Sequence, residues 1–118
     1  MPLILKLLII IRQEFIKMKK IPNIHPGEIL KEEFLIPFNL SAYKLAKETK
    51  IPPTRISQIL KGKRSITADT ALRFAKFFGT TADFWLGLQI EYDLREEISI
   101  KSKEINTIKN IKAVHNVC

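Results

Sequence analysis

A chain of 118 residues, 46% hydrophobic and 27% charged, makes one domain of ordinary size; it is too short for two and too apolar for disorder throughout. Four glycines and six prolines are too few for a turn-rich sandwich or barrel. Twenty Lys and Arg against twelve Asp and Glu leave a net charge of +8, which points to an anionic partner: nucleic acid, an acidic protein or a membrane surface.

The first segment, Leu3–Ile11 (LILKLLIII), is strongly apolar. It is interrupted by Lys6 and is far shorter than the ~20 residues needed to cross a bilayer. Nothing basic precedes Leu3 and no small-residue cleavage site follows, so it does not read as a signal peptide. Three readings stay open for residues 1–17: an extra element packed on a domain or partner, an amphipathic surface segment, or sequence upstream of the true start. Met18-Lys19-Lys20 looks like a natural beginning, and residues 18–97 then form the domain.

Helical periodicity recurs along that domain, with no sustained alternation of period two. Pro26-Gly27 opens a first helix through Leu35, with Ile29, Leu30 and Phe34 on one side; Pro37 stops it. Ser41 caps a second helix, 42–49, in which Leu45 and Ala46 face inward. Pro52-Pro53 presets a third, 53–60, which Gly62 ends. Thr67 caps a fourth, 68–78, with Ala68, Ala71, Leu72, Ala75 and Phe78 in its apolar stripe and Gly79 at its end. Thr81 starts a fifth, reaching Glu97, with Asp83 where the helix dipole favours a negative charge. The tail, residues 98–118, is Asn- and Lys-rich and reads as weakly helical or partly disordered. The expected architecture is all-α with five helices, and Phe34, Leu45, Ile56, Ile59, Leu72, Phe78 and Trp85 are the expected core. Cys118 cannot form an internal disulfide, nor a zinc cluster with the distant His25 and His115. No metal or cofactor is expected, and the compartment reads as reducing and cytoplasmic.

The excess charge is concentrated. Residues 41–76 hold nine basic residues against Glu48 and Asp69, a local charge of +7. Helices two and three, joined by Lys50-Ile51-Pro52, lie inside it and have the layout of a helix-turn-helix. With Thr54 at the origin and about 100° per residue, Ile56, Ile59 and Leu60 fall near about 200°, 140° and 240°, whereas Gln58 and Lys61 fall within about 40° of Thr54. Arg55 and Ser57 flank that outward face, which carries hydroxyl, amide and cationic groups and no acid. Such a set suits base edges and phosphates in a major groove.

The run SAYKLAKETKIPPTRISQILKGKRSITADTALRFAKFFGTTADFWLGLQ resembles the XRE or lambda-repressor-like helix-turn-helix. IHPGEILKEEF before it and FFGTTADFWLGLQIEYDL at its end make the chain similar to HigA-type antitoxins, also called plasmid-maintenance antidote or virulence-associated protein I. The resemblance spans about residues 20–97. It departs at Lys50, where many such motifs place glycine, so a left-handed turn must be either tolerated or avoided there.

The resemblance implies that Thr54, Arg55, Ser57, Gln58 and Lys61 enter the groove and that Lys63, Arg64 and Ser65 touch phosphates. Ser41 would offer a helix-terminal N–H to another phosphate. It further implies a homodimer, autorepression at double-stranded operator DNA, and neutralisation of a HigB-like, ribosome-dependent RNA-cleaving toxin. The apolar end of the fifth helix around Trp85 and Tyr92, with or without the tail, is the expected dimer contact. Two other functions stay open: a stand-alone phage-like repressor without a toxin, and a basic module that binds a protein or a membrane through residues 3–15. Glu28, Glu32 and Glu33 form an acidic face, either solvated or in contact with a basic toxin. His25 reads as a helix-entry residue and Trp85 as core or dimer anchor. With no phosphate-cradling glycine loop, HExxH pattern or nucleophile–base pair, an enzyme is not expected.

Overall fold

The computed structural model describes residues 22–115, and with them Ile4 and Leu7. Those two residues apart, the readings of residues 1–17 and of Cys118 lie outside the described residues. Among the described residues the regular structure is all helical, joined by turns and short loops. Helix α1 opens as Pro26–Ile29 and passes directly into a π-helical stretch, Leu30–Leu35. Then come α2 (Ala42–Thr49), α3 (Pro53–Leu60), α4 (Ala68–Phe78), α5 (Ala82–Ile105) and a short α6 (Ile111–Val114).

Local chemistry sets most of these boundaries. The Ser41, Thr67 and Thr81 hydroxyls accept the N–H groups of Lys44, Thr70 and Phe84, the pattern of an N-cap. Pro53 fills the first position of α3, where a missing N–H leaves nothing unpaired. Gly62 and Gly79 end α3 and α4 in the left-handed conformation, at φ 74° and 75°. Asn39 takes φ 51° in the turn after α1, a conformation asparagine tolerates better than most residues.

The π-helical stretch changes which residues of α1 face inward. In an α-helix Leu35 would sit about 140° round from Leu30. Here Ile36 N–H donates to the Lys31 carbonyl, an i→i+5 bond. The wider turn returns Leu35 to the side of Leu30, and both are buried. Ile29 and Phe34 are half-buried.

The core joins Leu30, Leu35, Leu45, Ala46, Ile51, Ile56, Ile59, Ile66, Ala71, Phe74 and Trp85. Trp85 is its largest member, fully buried. Rings of Phe34, Phe74 and Phe84 lie 4.8, 5.1 and 5.1 Å from it, and its indole N–H donates to the Thr80 hydroxyl at 2.8 Å. Leu45, Ile56, Ile59 and Trp85 are core as expected; Phe34 and Phe78 are half-buried at the edge of the aromatic cluster.

Leu72 departs from expectation: it is 62% exposed. Helix α4 carries apolar residues round too wide an arc for spacing to choose among them. Packing turns Thr70, Ala71 and Phe74 inward, so that Phe74 meets Trp85 and Leu72 points out. The fifth helix also runs eight residues past the expected Glu97, to Ile105, and a sixth helix follows where the tail was read as weakly ordered.

One contact ties α1 to α3. A Cβ on Gly27 would lie 1.8 Å from the Ile59 carbonyl oxygen, so the two backbones touch there and only glycine fits. By contrast, a Cβ on Gly87, in α5, would meet nothing within 4 Å. Gly27→Ala should therefore cost about 3 kcal/mol or more, the upper part of the range for overpacking. Gly87→Ala should stabilise by about 0.5–1 kcal/mol through helix propensity. Thermal unfolding of the two variants checks both signs.

Candidate nucleic-acid interface

Helices α2 and α3 meet through a tight turn at Lys50. That residue adopts φ 58° and ψ 37°, so the chain tolerates the left-handed conformation without glycine. Three interactions hold it. Ile51 N–H donates to the Ala46 carbonyl at 3.0 Å and Lys50 N–H to the Lys47 carbonyl at 3.3 Å, the paired bonds of a Schellman motif. Buried Ile51 supplies its apolar contact. The Arg73 guanidinium then reaches from α4 and donates to the carbonyls of Thr49 and Lys50, at 3.2 Å each.

The end of α3 repeats the motif. Lys63 N–H donates to the Gln58 carbonyl at 2.8 Å and Gly62 N–H to the Ile59 carbonyl at 3.0 Å. The basic loop after it is anchored at Ile66, whose N–H donates to Gln89 Oε1 at 2.8 Å. Gln89, buried on α5, donates in turn to Asp93 at 2.9 Å. Sequence reasoning passed over this glutamine. Its signal was a polar residue inside the apolar run FWLGLQI, where burial demands a partner.

The expected site residues take these places. Ser41 caps α2 and is exposed. Thr54, Lys61, Lys63, Arg64 and Ser65 are exposed, and Ser57 and Gln58 are half-buried. Ile56 and Ile59 are fully buried on the opposite side of α3, as its periodicity requires. Arg55 is engaged within the protein: its guanidinium lies 2.6 Å from Asp69 Oδ2, and Arg73 holds the other oxygen of Asp69 at 3.0 Å. Hydrogen bonds from Arg73 and then Arg55 hold the Asp69 carboxyl below the usual carboxylate range.

His25 is a helix-entry residue, as expected. Its Nδ1 accepts the Gly27 N–H at 2.9 Å, and its ring stands edge-on to Tyr92 at 4.9 Å, beside Gly62 at the end of α3. Burial lowers its pKa below the ordinary 6.5, against an opposing pull from Asp93. A proton on Nδ1 would break the cap.

Trp85 is enclosed within the chain, so it is not available as a dimer contact. The apolar residues that α5 does expose lie elsewhere: Ile90, Leu94 and Ile98, spaced four apart, are 55–58% exposed. They face away from Trp85 and Gln89.

A helix-turn-helix family model matches residues 30–85. Virulence-associated protein I of Dichelobacter nodosus is 53% identical over 76 residues, 64% of this chain and 70% of that protein. Among solved structures, an addiction module antidote protein of the HigA family from Coxiella burnetii superposes with TM-score 0.72 at 51% identity, over 76% of this chain and 98% of that one. The Pseudomonas aeruginosa antitoxin HigA, solved with the higBA promoter, gives TM-score 0.72 at 38% identity over the same shares.

Two outcomes are expected of this geometry. A left-handed lysine is strained by roughly 1–2 kcal/mol relative to glycine. Glycine gives back about 0.5–1 kcal/mol of this in unfolded-chain entropy, so Lys50→Gly should raise the melting temperature by several degrees, at about 4–8 °C per net kcal/mol. For His25 the depressed pKa means that the unfolded chain binds a proton more readily than the folded one, so stability is full above pH 6.5 and declines as pH falls below it. His25→Asn, an uncharged cap, should flatten the fall in melting temperature as pH drops below 6.5. Unfolding curves across that range read the slope directly.

Proposed function

The chain belongs to the HigA family of helix-turn-helix antitoxins, and from that premise we propose that it binds its own operator as a homodimer, represses that operon, and neutralises a HigB-like RNA-cleaving toxin in the cytoplasm. The observation that carries the DNA-binding part is the outward face of α3. Thr54, Gln58 and Lys61 project from it without an acid among them, and Lys63, Arg64 and Ser65 follow at the rim. Gln58 lies mid-helix, where a side-chain amide can bond an adenine edge with two hydrogen bonds. Lys63 and Arg64 come after Gly62, where groove depth keeps them at the backbone. The relative solved with its promoter supports the same use of the motif.

One eight-residue helix reads few base pairs, so specific affinity calls for two copies. The exposed Ile90–Leu94–Ile98 stripe on α5 supplies an apolar surface for a second protomer. Paired this way, two α3 helices address half-sites about 34–36 Å apart, or a multiple of that, on a pseudo-palindromic operator. Among the described residues no helix is long and apolar enough to cross a membrane. For the toxin, coexpression with the neighbouring reading frame is the direct test: growth should be rescued when this chain is present and arrested when it is absent.

Titration of a duplex from the chain's own promoter should saturate at two protomers per operator. Gln58→Ala should weaken the operator complex by roughly 1–3 kcal/mol and leave random DNA little affected. Lys63→Ala and Arg64→Ala should weaken both complexes alike, each lowering the slope of log K against log salt by about 0.9. Affinities for both duplexes at several salt concentrations check this. Equal losses on both DNAs for Gln58→Ala would reverse the assigned roles.

A further inference from the structure

Resting on that DNA-binding reading, we propose that Asp69 is a positioning residue for sequence readout: its single carboxylate sets α3 against α2 by holding Arg55 and Arg73 at once. The two oxygens are divided between the two guanidiniums. Oδ2 takes Arg55, from the first turn of α3, at 2.6 Å; Oδ1 takes Arg73 Nε at 3.0 Å. Arg73 passes the restraint on, donating to the Thr49 and Lys50 carbonyls at the end of α2. A continuous chain of hydrogen bonds thus runs from the recognition helix, through α4, to the left-handed residue that sets the angle of the turn.

The placement is at the DNA-facing edge. Arg55 and Asp69 line a small cavity with Arg64, Ser65 and Thr67, next to the basic loop. There an acid works against phosphate binding. Asp69 is one of only two acidic residues in the +7 segment 41–76. By charge alone it weakens the attraction for every DNA sequence. Its two arginines explain its presence by geometry instead. An isolated exposed ion pair stabilises little, but a fork-shaped network with both oxygens engaged fixes orientation. Arg55 accordingly acts through Asp69 to orient α3 and does not read a base itself.

Charge and geometry predict opposite signs, which makes the test decisive. Asp69→Asn in the full chain keeps the side-chain shape and removes the negative charge. Its affinity is measured for the footprinted operator duplex and for a shuffled duplex of the same length and composition. We expect operator binding to fall about tenfold or more while the shuffled duplex binds as tightly or more tightly, with melting temperature little changed. Arg73→Lys keeps the charge but cannot span Asp69 and two carbonyls, and it should lose the same discrimination. If Asp69→Asn tightens binding to both duplexes in parallel, or Arg73→Lys discriminates as well as the native chain, the proposal is wrong. Should Asp69→Asn fail to fold, Arg73→Lys alone decides. If the native chain itself binds both duplexes equally, the DNA-readout assignment fails as well, a result distinct from either of these.

Discussion

Contact between the Gly27 backbone and the Ile59 carbonyl governs this molecule. Helix α3 has eight residues, too few to be stable or oriented on its own. Its pose comes from what surrounds it. α1 presses against it where no side chain intervenes, and its buried face of Ile56 and Ile59 sinks into the core. His25 sits under its final turn at Gly62, and the Lys50 turn meets its start. The polar face then has one direction left to point.

The basic loop beyond α3 shows how such a surface can be ordered without losing its charge. Ile66 N–H must be satisfied because it is buried, and a carboxylate could have accepted it. A neutral amide, Gln89, does so instead, passing its own donor to Asp93 one helical turn further along α5. The loop backbone is anchored without a carboxylate bonded to it, and Lys63 and Arg64 stay exposed for an anionic partner.

Helix α5 serves two sides. Trp85 and Gln89 face the domain, where they hold the aromatic cluster and the loop. Ile90, Leu94 and Ile98 look outward. The helix thereby links core packing to the surface we assign to a second protomer, and any change in its pitch would move the loop anchor and that stripe together.

Some of this was decided within a few residues of chain and could be read there. The caps at Ser41, Thr67 and Thr81, the Pro53 start, and the Gly62 and Gly79 stops each depend on hydrogen bonds or φ values that reach no further than one turn. The two faces of α3 were equally legible, since an eight-residue helix has one apolar stripe and one polar one. The PGEIL and FWLGLQ blocks pointed to the family, although their physical purpose was hidden: Gly27 is needed for Ile59, and Gln89 for Ile66. Tertiary structure alone decided the rest. Leu72 and Phe74 are both apolar on α4, and only the position of Trp85 makes Phe74 the buried one. The π turn that brings in Leu35, the left-handed Lys50, and the pairing of Arg55 with Asp69 likewise depend on groups that packing brings across. Local rules fix how each helix begins and ends; which side chain meets which is fixed by residues distant in the chain, and no pattern within a helix contains that information.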